Sequence, residues 1–199
     1  MSIAKKAAGT GRIFIISAPS GAGKGAVIDK VLELSPEIAY SVSATTRPPR
    51  KGEIDGVSYH FVSRERFEKM IADDEFLEYA EYVGEYYGTP KRPIRELTER
   101  GKDVILEIEV QGARQIMALV PDALSIFIVT PSLAELERRL RKRGTDSGEK
   151  LVSRLHMARQ ELQNQSMYGR TVVNDDVERA AREILAIIGQ ASCAGHAPH

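Results

Sequence analysis

Cysteine is almost absent from this chain: Cys193 stands alone among 199 residues. A lone thiol closes no internal disulfide, which suits a reducing, intracellular compartment. Net charge is absent as well. Basic and acidic residues number 28 each, so no whole-chain field draws the protein to nucleic acid or to a membrane surface. No apolar stretch approaches the roughly 20 residues of a membrane-spanning helix. Lys5 and Lys6 precede an apolar run in the manner of a secretory leader, but the run is short and Arg12 breaks it, so a cytoplasmic protein is expected. Internal repeats and low-complexity segments are missing too. What remains is the length of one domain with room for a core, and residues 1–10 and 191–199 are expected as tails.

Chemistry begins at RIFIISAPSGAGKG, Arg12 to Gly25. The β-branched run Ile13 to Ile16 reads as a buried strand. It enters a turn with Gly21 and Gly23, then Lys24, and helical spacing follows at Val27, Ile28, Val31 and Leu32. Glycines let successive backbone N–H groups turn inward. The helix N-terminus adds partial positive charge and Lys24 a full one, so this is a recipe for holding a polyphosphate. The usual spacing is G-x-x-x-x-G-K-[ST]. Here Ala18 replaces the first glycine and Gly25 the hydroxyl residue. An ordinary strand-to-helix turn is the competing reading of the loop alone. Without that hydroxyl, Mg²⁺ would be held through water and the nucleotide phosphates, with no direct side-chain ligand assigned.

Further strand patterns recur at Tyr40–Thr45, Val104–Ile108, Leu124–Val129 and Thr171–Val173, with helical stripes between them. Alternation of this kind predicts an α/β fold, a mostly parallel sheet in a three-layer P-loop arrangement. Residues 46–90 break the rhythm. They read as a small β-rich insertion with one helix near Arg64–Ile71, set into a core of residues 11–45 and 91–190. Five of the six residues Arg138–Arg143 are basic. In SVSATTRPPRKGE, Ser41 to Glu53, two prolines hold Arg47 and Arg50 in extended chain, spaced as two guanidinium forks for phosphate.

Eight segments in order over nearly the whole chain resemble the guanylate kinase family: SAPSGAGK, SATTRPPRKGE, GVSYHF, EFLEYA, YYGT, ILEIEVQG, RRLRKRGTD and VVND. The resemblance implies phosphoryl transfer from ATP to GMP with Mg²⁺ bound alongside ATP. It implies that Ala18, Pro19, Ser20, Gly21, Ala22, Gly23, Lys24 and Gly25 cradle ATP, with Asn174 near the adenine. Arg47, Arg50, Tyr59 and Tyr87 would hold the GMP phosphate, and Ser43, Glu78 and Thr89 would read guanine. Arg139, Arg143 and Arg154 would belong to a lid, about residues 138–155, that closes on the ATP phosphates; Arg138, Arg141 and Lys142 would be surface charge. Lys24, Arg47 and the lid arginines would neutralise charge on the transferring group. A carboxylate accepts from two donors side by side, and guanine offers N1–H and its 2-amino group on one edge, whereas adenine has an acceptor at N1.

Glu107 and Glu109 are expected on one face of a buried strand, where a Mg²⁺–nucleotide would offset their repulsion. Glu107 is carried over as a residue near the phosphates or substrate, and Gln111 and Gly112 as a cap on the following helix. Two alternatives stay open. One is a non-catalytic guanylate-kinase-like module that binds phosphorylated peptides. The other is a kinase for a different nucleoside monophosphate.

Overall fold

The computed structural model describes residues 11–82, 84–142 and 148–194. They divide into two compact units, one of residues 11–13 with 38–123 and the other of 14–37 with 124–194. The stretch 46–90 is therefore grouped with neighbouring strands and helices of the first unit. Among the described residues no helix is long and apolar enough to cross a membrane.

The second unit is built on strands that pair only in parallel. β1 (Ile13–Ser17), whose first residue belongs to the first unit, is buried throughout. The helix α1 (Lys24–Leu34) follows it and buries Val27, Ile28 and Val31. In the first unit, β2 (Ala39–Tyr40) pairs in parallel with β7 (Val104–Glu107). A second sheet runs in the order β4 (His60–Phe61), β3 (Ala44–Thr45), β6 (Glu85–Pro90), β5 (Phe76–Tyr82). Three helices belong with these strands: α2 (Arg64–Ala72), α3 (Lys91–Glu99) and α4 (Val110–Leu119). Back in the second unit, β8 (Leu124–Val129) pairs in parallel with β1 and with β9 (Arg170–Val173). Helices α5 (Leu133–Lys142), α6 (Gly148–Leu162) and α7 (Val177–Ala194) complete it. Ile126, Phe127 and Ile128 of β8 and Ala180, Ala181 and Ile184 of α7 are fully buried. α/β alternation with a mostly parallel sheet is thus the observed fold.

Five details differ from expectation. The segment Tyr40–Thr45 is not one strand. β2 stops at Tyr40, and after Ser41–Ser43 the chain joins the other sheet as β3. α3 is not among the helices expected from the sequence; Pro93 lies in its first turn, where N–H groups have no helical partner. Glu109 does not lie on β7, which ends at Glu107; it is the N-cap of α4 and makes no side-chain cap hydrogen bond. Gln111 and Gly112 lie inside α4 instead of capping it. α7 continues to Ala194, into the stretch read as a tail.

The four-stranded sheet has two chemically distinct faces. Pairing sets Thr45 opposite Tyr87 and Glu78 opposite Thr89, with Ala44 and Tyr79 opposite Gly88. Directly opposed residues share a face. Ala44, Gly88 and Tyr86 therefore face α2, where Phe67 stacks on Phe76 at 4.4 Å and on Tyr86 at 5.2 Å between ring centres. Thr45, Glu78, Tyr87 and Thr89 take the other face. Strict alternation would put Phe76 and Glu78 together, but the register shifts between them. A bulge of this kind re-aims the chain, so Phe76 enters the apolar core while Glu78 goes to the polar side. Phe67 is fully buried; Phe67→Ala is expected to cost about 3–5 kcal/mol, measured as a lowered midpoint in urea unfolding.

Candidate active site

The glycine loop of the second unit is shaped by two left-handed residues, Gly21 at φ 90° and Gly23 at φ 85°. A side chain at either position would be strained. Space forbids one as well: a Cβ on Gly21 would lie 2.7 Å from Leu140 Cγ, and one on Gly23 would lie 2.7 Å from Asn174 Nδ2. Gly23 is the N-cap of α1 and Lys24 its first residue. Ala18 and Ala22 are buried, so they shape the loop and can offer a ligand only backbone groups. A Cβ on Gly25 would meet nothing within 4 Å.

The loop is braced from below. Buried Asn174 donates from Nδ2 to the Ala22 carbonyl at 2.7 Å. Arg139 donates to the Ala22 carbonyl at 3.3 Å and to the Asn174 carbonyl at 2.9 Å, while its Nε is held by Glu135 at 2.7 Å. Arg138 and Arg139 together draw the Glu135 carboxyl down to about 2. Here, Arg139 and Asn174 fix the shape of the phosphate loop. Arg154 reaches the other side and donates to Ser20 Oγ at 3.3 Å. The Ser20 N–H donates to Glu161 at 2.9 Å, so a loop amide is already bound to a carboxylate. Arg143 lies outside the described residues. Arg138 and Arg141 are exposed and paired with Glu135 and Glu137.

In the first unit, the polar face of the four-stranded sheet gathers the other predicted residues. Arg47 makes a two-pronged pair with Glu53, Nη1 to Oε2 at 2.9 Å and Nη2 to Oε1 at 2.8 Å. Its guanidinium lies 5.4 Å from the Tyr59 ring centre, and Tyr87 meets Tyr59 edge-on at 6.0 Å. Arg50 is exposed; its backbone N–H also binds Glu53, at 2.6 Å. The Arg47 hydrogen bonds hold the Glu53 carboxyl below its ordinary range. This pocket therefore binds a carboxylate in the geometry that a phosphate could use.

Two residues from Tyr87 along β6, Thr89 donates to Glu78 Oε1 at 2.5 Å. Glu78 is only 6% exposed. Burial pushes its carboxyl up to about 7; the Thr89 hydrogen bond opposes this and the nearby charge of Glu109 adds to it. Glu109, not Glu107, bears on Glu78. Glu107 instead accepts from the Tyr40 hydroxyl at 2.9 Å. Ser43, just before β3, is half-buried, with its carbonyl taken by the His60 N–H at 2.9 Å. Among the described residues no cluster of three or more His, Cys, Asp or Glu could hold a metal ion.

A family model described as guanylate kinase matches residues 10–191. The chain belongs to the guanylate kinase family. It is 50% identical over 178 residues to a guanylate kinase of Carboxydothermus hydrogenoformans, covering 89% of this chain and 87% of that one. It is 53% identical to one from Thermus thermophilus over 89% of this chain and 80% of that one. The crystal structure of guanylate kinase from Anaplasma phagocytophilum superposes with a TM-score of 0.77 at 34% identity, covering 92% of this chain and 86% of that one.

Within the guanylate kinase pattern, several residues went unremarked or were given another role. Glu53 stands in the motif SATTRPPRKGE, but only the fold shows it seated on Arg47. Glu161 carries no motif. Glu109 was paired with Glu107 by strand alternation, an argument that fails once α4 begins at Val110.

Glu78 has a measurable consequence for stability. Between its ordinary value of 4.5 and about 7, the folded protein keeps a proton that the unfolded chain releases. Folded binds more protons, so unfolding free energy falls as pH rises through that window. Glu78→Gln removes this loss, worth up to about 3 kcal/mol. The variant's unfolding midpoint should gain on wild type from pH 5 to about pH 7 and level off above it; a constant difference across that range would contradict the burial effect.

Proposed function

We propose that this chain transfers the γ-phosphoryl group of ATP to the phosphate of GMP, giving ADP and GDP. One observation carries the guanine assignment. A buried carboxylate, Glu78, lies on the same sheet face as the Arg47–Tyr59–Tyr87 cluster, with Glu78 and Thr89 one alternation along from Tyr87. A base-reading group and a phosphate-holding group are thus set about 7 Å apart along β6, a spacing suited to one nucleotide. Family membership and the identity to named guanylate kinases support the same reading and disfavour the non-catalytic module.

Each residue then has a physical task. Ionised Glu78 accepts the N1–H and 2-amino donors of guanine, and the Thr89 hydroxyl keeps it oriented. Adenine would leave the buried carboxylate facing an acceptor, which such sites reject strongly. Arg47 and Arg50 hold the GMP phosphate, with the Tyr59 and Tyr87 hydroxyls as further donors; Arg47 exchanges Glu53 for a more highly charged partner. The loop amides from Ser20 to Gly25 and Lys24 hold the ATP phosphates. Arg154 lies against the loop, near the charge that develops on the transferring group, and Arg143 is proposed for the same role. Bound Mg²⁺ would neutralise phosphate charge and be held by phosphates and water. No general base is required, because the GMP phosphate is already largely ionised at neutral pH. In-line transfer needs closure of residues 46–90 and of the lid 138–155 to exclude water.

A coupled ADP-release assay over a panel of nucleoside monophosphates tests the reading. GMP should be preferred over AMP, CMP and UMP; equal turnover with AMP would sink it. Glu78→Gln should lower kcat/KM for GMP by about 10²-fold or more while leaving the KM for ATP within about twofold. The open space at Gly25 admits a hydroxyl, so Gly25→Ser should fold normally and reduce the Mg²⁺ concentration for half-maximal rate. An unchanged Mg²⁺ requirement would mean that water replaces the hydroxyl fully.

A further inference from the structure

We propose that Gly112 is a specificity-determining position: its bare backbone forms the seat that holds the Glu78 carboxylate edge-on toward guanine. This rests on the reading of Glu78 as the base-recognising group and adds a residue that acts through it.

Gly112 lies in the first turn of α4, is buried, and belongs to a helix packed against β5. Its φ is not positive, so the backbone conformation does not call for glycine. Glycine inside a helix weakens it relative to alanine, and a local explanation is therefore lacking. The explanation is tertiary. A Cβ placed on Gly112 would lie 2.1 Å from Glu78 Oε2, 2.7 Å from its Cδ and 3.4 Å from Oε1. The carboxylate occupies the volume that any other residue's side chain would fill.

Glu78 cannot withdraw freely. Thr89 holds Oε1 at 2.5 Å, and the group is enclosed. With one oxygen pinned by Thr89 and the other lying over Gly112, both the position and the plane of the carboxylate are set. A carboxylate has about four lone-pair sites; Thr89 uses one, and the remainder can meet two adjacent N–H donors. Restoring ordinary contact with a Cβ would shift Oε2 by at least about 1 Å. Misplacement of that size in a positioned site can lower rates on the order of 10²-fold. The effect should fall on the base edge, not on the ATP side. Gly112 is thus a positioning residue, and its signature is selectivity among purines.

The test measures kcat and KM for GMP, IMP and ATP in wild type, Gly112→Ala, Glu78→Asp and the double variant. IMP keeps N1–H and lacks the 2-amino group, so it reports on carboxylate placement. Gly112→Ala should reduce kcat/KM for GMP on the order of 10²-fold, chiefly through KM, and narrow the preference for GMP over IMP by about tenfold. The KM for ATP should stay within about twofold. Glu78→Asp draws the carboxylate back by one methylene and makes room for the new methyl. The double variant should therefore exceed the product of the single effects by about tenfold, a coupling expected only of residues in contact. Unchanged GMP kinetics in Gly112→Ala, equal losses for GMP and ATP, or additive single effects would each overturn the proposal. If Gly112→Ala does not fold, folding of the double variant supports the clash with Glu78, and failure of both refutes it. Wild type that ignores GMP would instead refute the function proposed above, whatever Gly112 does.

Discussion

A carboxylate taken out of water constrains the first unit. Glu78 is buried on the polar face of a small sheet, and burial alone opposes its ionisation. Its neighbours compensate only in part: hydrogen bonding from Thr89 opposes the effect of burial, while the charge of Glu109 adds to it. The fold therefore tolerates a buried carboxylate whose ionisation its neighbours only partly support. A ligand bringing two adjacent donors would complete that support. Under the proposed function, stability and recognition are set against each other at this residue.

The same unit shows how that group is put in place. A bulge between Phe76 and Glu78 sends the phenyl ring into the aromatic stack on α2 and the carboxylate to the opposite face. The pairing of β5 with β6 then sets Thr89 beside Glu78 and Tyr87 two residues away. The aromatic core of Phe67, Phe76 and Tyr86 anchors the sheet, so the polar face is held by packing on its reverse side. Charges elsewhere follow a related logic. Arg47 is paired with Glu53, and the Ser20 amide with Glu161. Under the proposed function, phosphate binding would then exchange one anion for another at both places.

Much of this was legible in residues close together in sequence. The strand, glycine loop and helix from Arg12 to Leu34 are a local device, and Gly21 and Gly23 adopt the left-handed conformations that such a loop needs. The α/β alternation and α2 were readable from periodicity. Other features were not. α3 was not foreseen; Pro93 lies within its first turn. Glu109 was misplaced because alternation says nothing of where a strand stops. For Arg139 and Asn174, expected near ATP, only the fold shows that both donate to the Ala22 carbonyl.

The amino-acid order by itself determined the phosphate loop, the class of fold and the family, because these depend on short-range conformational preferences and on motifs that recur in a set order. Only the tertiary structure decided how Glu78 is held, which neighbours perturb it and why position 112 carries no side chain. Those facts arise where α4 meets β5, segments remote along the chain. Steric exclusion and desolvation depend on distances through space, and no local pattern of residues encodes them.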